Sequence, residues 1–177
     1  FELATRLSMF LWCSIPDEEL IQVAAEGRLS DTDELIRQTK RLLADSRHER
    51  FTHQFVRQWL GMEVLDYLNV DKSSYPQFDN ALKQAMEHEP IAFFEEILQN
   101  DRSVLDFLHA DYALVNQRLA QHYGLDGVKG HHFRKVSLNS EANRGGLLTQ
   151  AGLLAMNSDG MDSNPLKRGI WLLESIL

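Results

Sequence analysis

The stretch SDTDELIRQTKRLLADSRHERFTHQFVRQWLG, residues 30–61, contains two successive helix patterns and decides the fold class. Asp31 is a residue type that caps helix N-termini, and the apolar residues after it recur every three or four positions. In the second half, Phe51, Phe55 and Trp59 are spaced four apart, before a glycine that ends the run. Such an aromatic ladder can form a ligand site, but at helical spacing it is more typical of a core. The stretch therefore predicts two amphipathic helices.

The same helical pattern continues on both sides of this stretch. Residues 1–13 predict an amphipathic helix, and Cys13 ends its apolar run, so we expect this cysteine to be buried. Residues 78–100 predict a long helix that contains Pro90. Proline lacks a backbone donor and clashes with the preceding turn, so we expect a kink or a break near Glu89.

The last third of the chain is less regular. Two short helices are predicted over 103–109 and 113–122, and residues 133–138 alternate as a short strand does. A final helix is predicted to begin at Asn164 and Pro165, a cap followed by proline in the first turn. The expected fold class is all-α: an irregular bundle of about eight helices with a loop-rich C-terminal quarter and one short hairpin.

Composition limits the classes of partner. The formal net charge of -8 argues against nucleic acid and anionic lipid as partners, and no apolar run is long enough to span a membrane. The basic clusters at 40–41 and 47–50 are interpreted as solvated helix faces. Because the chain begins at Phe1 without methionine and ends inside a helical pattern, we expect it to be a piece of a longer protein.

Histidine and cysteine spacing predicts no metal and no covalent haem in this chain. None of the seven histidines forms the pair of a zinc-protease helix. The one cysteine, Cys13, rules out a Cys-x-x-Cys-His motif for attaching haem c.

Two loops contain candidate ligand contacts. Residues 158–164 are rich in oxygen ligands, although their spacing does not match a calcium-binding hand. We take Asp159, Asp162 and Asn164 as candidates, with a capped connector before a helix as the alternative.

The second loop is Arg144-Gly145-Gly146. Two glycines before a predicted helix can expose backbone donors to an anion, and a sharp turn is the alternative interpretation. Arg144, Gly145 and Gly146 are therefore candidates for anion contact.

Several ordered stretches together resemble a known family and cover nearly the whole chain. They are RLSMFLWCSIPDEEL at 6–20, FVRQWLG at 55–61, DRSVLDFLHADYALVNQRLAQHYGL at 101–125, FRKV at 133–136, RGGLLTQAGLL at 144–154 and NPLKRGIWLLESIL at 164–177. The chain resembles the planctomycete-type domain of unknown function fifteen-ninety-two, followed by the start of domain fifteen-eighty-eight. The resemblance implies a helical domain over 1–128 and a second, truncated domain over 129–177, packed on the first.

The resemblance also implies a context. Relatives are exported proteins that often carry cytochrome-c-like modules, which implies a periplasmic or cell-surface parent protein with haem c outside residues 1–177. Other domains of the same polypeptide are then the expected partners.

Three functions stay open at this point. The leading one is a non-catalytic scaffold or interaction module. The second is part of a redox enzyme whose site forms against a downstream haem domain, in which His122, Arg144, Asp162 or Arg168 would converge in one cleft. The third is a carbohydrate- or surface-binding module, which requires exposed rings such as Trp59, Tyr75 or Tyr112.

Overall fold

The computed structural model describes residues 1–139 and 142–177 and separates into two compact units. We call them the N-terminal unit, Phe1–Phe55, and the C-terminal unit, Val56–Leu177. The predicted domains, 1–128 and 129–177, came from the family resemblance and stay a prediction.

The described residues are mostly helical, as predicted, with a small sheet. The α-helices are α1 (Glu2–Trp12), α2 (Glu18–Ala25), α3 (Thr32–Ala44), α4 (Glu49–Trp59), α5 (Asn80–Gln99), α6 (Gln117–Tyr123), α7 (Ala151–Met156) and α8 (Pro165–Ser175). The strands β1 (Tyr112–Val115) and β2 (Arg134–Ser137) pair antiparallel. Short 3-10 turns occupy Arg28–Ser30, Ser46–His48, Met62–Tyr67, Val104–Phe107 and Leu147–Thr149.

Trp12 organises the N-terminal unit. Its ring is fully buried, and its Nε1 donates to the carbonyl oxygen of Leu42 at 2.8 Å. The Cζ atoms of Arg47 and Arg41 lie 3.4 and 5.6 Å from the ring centroid, and Arg41 also donates two hydrogen bonds to Asp17 at 2.7 and 2.9 Å. The interpretation of both basic clusters as solvated faces is therefore wrong for these two arginines, which cover a core ring.

Cys13 corrects another expectation. It is exposed rather than buried, because α1 ends at Trp12 and Cys13 takes a left-handed conformation with φ at 50°. The helical periodicity that predicted its burial stops one residue earlier.

α5 runs through Pro90 without the expected break. Proline has no N–H to donate to the carbonyl of Met86 one turn earlier. Gly152 of α7 packs directly on that carbonyl: a Cβ at this glycine would lie 2.5 Å from the oxygen of Met86. The close approach of α7 thus covers the site where the proline removes a hydrogen bond.

The predicted helix over 113–122 is wrong in its first half. Residues 112–115 form β1, with all four side chains buried, and only α6 is helical. Asn116 separates the two elements, since its side chain accepts from the backbone N–H of Leu119 at 3.0 Å and caps α6. The predicted strand over 133–138 is confirmed as β2.

α8 begins as predicted, with Asn164 as its cap and Pro165 in its first turn. Two tryptophans attach this helix to the end of α4 within the C-terminal unit. Nε1 of Trp171 donates to the carbonyl oxygen of Leu60 at 2.9 Å, and Nε1 of Trp59 donates to that of Ser175 at 2.8 Å.

Candidate functional site

A cleft of about 490 Å³ opens in the C-terminal unit. Residues from α5, α6 and α7 form its walls, together with the loops at 70–78 and 158–163. His122, Arg144 and Asp162 all line it. The structure therefore brings together three of the four residues that the redox-enzyme hypothesis places in one cleft, and we call this site the Arg144 cleft.

Arg144 is held in place from two sides. Its Cζ atom lies 3.6 Å from the ring centroid of Tyr123, and its Nη1 donates to the carbonyl oxygen of Thr149 at 2.7 Å. The side chain is half-buried, and no carboxylate of the described residues lies within 4.0 Å of its guanidinium. A fixed arginine that no described carboxylate pairs with is a favourable contact for an anionic group in a cleft.

His122 precedes Tyr123 at the end of α6, with the two ring centroids 5.6 Å apart. Its side chain is exposed. Partial burial lowers the pKa of His122 below its usual range, and the positive charges of Arg144 and Arg118 lower this pKa further. The histidine thus favours its neutral form and stays accessible from the cleft.

Sequence reasoning missed a buried acid next to the cleft. Glu89 is 2% exposed, and burial raises the pKa of its carboxyl to about 8. Tyr123 Oη donates to Oε2 of Glu89 at 2.6 Å and accepts from the backbone N–H of Ala151 at 2.8 Å. A signal was present in the sequence, because Glu89 continues the buried stripe of Leu82 and Met86 along α5.

The three candidate residues between 158 and 164 have different roles. Oδ1 of Asp159 accepts from the backbone N–H groups of Met161 and Asp162 at 2.9 and 2.7 Å, so this carboxylate closes the turn. These backbone N–H groups lower the pKa of Asp159. Asp162 lines the cleft, whereas Asn164 accepts from the N–H of Lys167 at 3.0 Å and caps α8.

The two glycines after Arg144 make packing contacts. Both are buried, and a side chain at Gly145 would collide with the backbone of Ala110. At Gly146, a Cβ would lie 2.7 Å from the carbonyl oxygen of Leu108. The N–H of Gly145 donates to Oγ1 of Thr149 at 2.8 Å, so it is already satisfied within the loop. The sharp-turn interpretation accounts for these contacts.

Arg168 lies apart from the cleft. It lines a separate hollow of about 240 Å³, with Trp171 and Leu172 among its neighbours. Of the four residues proposed for a joint site, three therefore line the Arg144 cleft and Arg168 does not.

A second groove in the C-terminal unit, of about 530 Å³, is lined by polar side chains of α5 and α6. Its one Lys or Arg, Arg118, donates to the carboxylate of Asp79 at 3.1 Å. Among the described residues, the cation of this groove is therefore paired with a carboxylate, whereas Arg144 is not.

Across residues 1–139 and 142–177, no group of three His, Cys, Asp or Glu side chains is arranged to hold a metal ion. The donor set does not fit haem c either, because its attachment uses two cysteines and the chain has one, Cys13. No helix in the described part of the chain has the length and apolarity to cross a bilayer.

The fold and the cleft define a mostly helical protein with a candidate small-molecule site. The chain belongs to the family described as Protein of unknown function (DUF1592), which matches residues 1–125. No curated protein and no solved structure matches the chain.

Proposed function

We propose that this chain is a non-catalytic interaction module of a larger exported, haem-c-associated bacterial protein, and that the Arg144 cleft is where it holds a ligand for that protein. The observation that carries the proposal is the anchored Arg144 in a cleft of small-molecule size, which suits holding an anionic ligand. The exported parent, its planctomycete-type origin and the second domain after residue 128 come from the family resemblance and are part of the proposal.

Binding is favoured over catalysis by the way the titratable groups are used. The hydroxyl of Tyr123 already donates its proton to Glu89 and accepts from the N–H of Ala151, so its proton is used within the fold and is not available for transfer to a ligand. Arg144 is anchored by Thr149 and Tyr123, which suits an arginine that orients an anion.

A redox enzyme is the second candidate, and it is favoured by the convergence of His122, Arg144 and Asp162 in one cleft, which this hypothesis predicts. An exposed His122 beside Arg144 in a cleft is the arrangement that a site completed by a downstream haem domain requires. For the carbohydrate-binding alternative, Tyr75 is 48% exposed and lines the cleft, as that alternative requires. Its support is otherwise weaker, because Tyr112 is 5% exposed and Trp59 is half-buried with its Nε1 bonded to Ser175.

The haem-loaded parent protein distinguishes the interaction module from the redox enzyme when the wild type is compared with Arg144→Gln and Arg168→Gln. The readouts are haem reduction, turnover of a panel of glycans and small reductants, and thermal stabilisation by a metabolite library. An interaction module predicts that only Arg144→Gln loses ligand-induced stabilisation, while haem reduction and turnover stay unchanged. Turnover that disappears in Arg144→Gln with normal haem reduction would instead establish the redox enzyme.

A further inference from the structure

The chemistry of the Arg144 cleft specifies its ligand more narrowly, starting from the arginine. Its guanidinium presents Nε and Nη2, which make no hydrogen bond to the described residues, while Nη1 is bonded to Thr149. Arg144 is also the only Lys or Arg among the described residues that line the cleft. A planar donor fork can bind a carboxylate or a phosphate bidentately, but one guanidinium balances only the single charge of a carboxylate.

Most of the wall around the arginine is apolar, although three serines and one glutamine of the loops also line the cleft. Buried Leu82 and Met86 of α5, half-buried Phe78 and half-buried Leu154 of α7 line the cleft. Contact with an apolar wall favours binding only to the extent that it removes apolar ligand surface from water. Burying a hydrated, multiply charged group against such a wall makes the binding free energy less favourable. The walls therefore select a ligand with an apolar body.

A negatively charged side chain in the cleft also disfavours ligands with several negative charges. Asp162 lines the same cleft and is exposed. A carboxylate there opposes a ligand with two or more negative charges more strongly than a ligand with one. The volume of about 490 Å³ lies within the range of ordinary small-molecule sites.

We infer that the Arg144 cleft binds a small monocarboxylate with an apolar body, the carboxylate on Arg144 and the apolar body against Leu82, Met86 and Leu154. This inference rests on the proposed function, since it names the ligand class of the same cleft. It extends that function by predicting weaker binding of inorganic phosphate and of short hydrophilic acids.

Isothermal titration of the 177-residue chain tests the inference with four probes. Phenylacetate carries both features, phenylacetamide lacks the charge, acetate lacks the apolar body, and inorganic phosphate has the wrong charge. We expect phenylacetate to bind about tenfold or more tightly than each of the other three. Equal binding of phenylacetate and phenylacetamide, or no binding of phenylacetate at millimolar concentration, would overturn the inference.

Two variants locate the site. Arg144→Gln is expected to weaken phenylacetate binding about tenfold or more, whereas Arg168→Gln, in the separate hollow, keeps the wild-type affinity. If Arg144→Gln has lost its cooperative thermal transition, Arg144→Lys is used in its place, because it keeps the charge and loses the donor fork. Wild-type affinity for phenylacetate in whichever of the two variants is folded contradicts the inference. As a measurement on the wild type, phenylacetate should shift the imidazole NMR signals of His122 and leave those of His48 unmoved; a shift of neither counts against it.

The two proposals fail separately. If the metabolite library stabilises the parent protein through Arg144 while phenylacetate does not bind, the ligand class is wrong and the proposed function stands. If neither binds through Arg144, both are wrong.

Discussion

Oη of Tyr123 lies 2.6 Å from Oε2 of Glu89, and the same hydroxyl accepts the backbone N–H of Ala151 at 2.8 Å. One side chain at the end of α6 therefore connects the middle of α5 to the first residue of α7. Because Glu89 is 2% exposed, burial raises the pKa of its carboxyl to about 8, so the buried group keeps its proton at neutral pH. The wall of the Arg144 cleft is thus supported by a neutral hydrogen-bonded pair.

Glu89→Gln should change how stability depends on pH. The carboxyl has an ordinary pKa of 4.5 and a folded-state value of about 8. Between these values the unfolded chain has released the proton that the folded chain retains, so the free energy of unfolding of the wild type falls as pH rises. Glutamine does not titrate. We expect the wild type to lose roughly 2–4 kcal/mol relative to Glu89→Gln between about pH 5 and pH 8. Urea unfolding at both values measures this difference, and parallel pH profiles would contradict the buried, protonated state.

Tyr123→Phe should destabilise the chain while leaving the volume of the interior almost unchanged. The substitution removes the acceptor of the Ala151 N–H and the donor to Glu89. Leaving such buried groups without partners costs about 1–3 kcal/mol. It should also raise the pKa of Glu89, because the hydrogen bond from Tyr123 acts to lower it. Urea unfolding across the same pH range measures the loss of unfolding free energy and its altered dependence on pH. An unchanged free energy of unfolding would show that water replaces the hydroxyl.

Gly152→Ala and Gly169→Ala form a matched pair of helical substitutions. A Cβ at Gly152 would lie 2.5 Å from the carbonyl oxygen of Met86, so α7 would have to move away from α5. A Cβ at Gly169 of α8 would meet nothing within 4 Å. We expect the first to cost about 2–4 kcal/mol of unfolding free energy and the second to gain about 0.5–1 kcal/mol from alanine's helix propensity. Thermal and urea unfolding of both variants check the contrast; equal effects would contradict the close packing of the two helices.

The sequence predicted elements where local signals agree and failed where tertiary contacts decide. Asp31, Asn164 and Pro165 specify helix starts through their own side chains, so α3 and α8 begin as predicted. β1 was mistaken for helix because four consecutive apolar residues carry no distinguishing period, and only pairing with β2 settles their conformation.

The same distinction explains the site. Arg144, Asp159 and Asp162 could be selected from the sequence because they are polar residues in predicted loops. The sequence did not predict that Asp159 closes its turn, because those hydrogen bonds depend on backbone geometry. Glu89 was missed because a single acid in an apolar helix is usually taken as solvent-exposed. Its burial depends on Tyr123, which lies 34 residues away in the chain.

His122 offers a direct check on the electrostatics of the cleft. Partial burial lowers the pKa of its imidazole, and the charge of Arg144 adds to that effect. Because a nearby positive charge disfavours the imidazolium, Arg144→Gln should raise the pKa of His122, whereas Arg168→Gln should leave it unchanged. The pKa is read from a pH titration of the imidazole signals by NMR in the wild type and both variants. A bound monocarboxylate should act in the same direction as Arg144→Gln, because its negative charge offsets the guanidinium that His122 senses. If the pKa of His122 is identical in wild type and Arg144→Gln, the two side chains do not share the cleft in solution, and both proposals for this site lose their geometric basis.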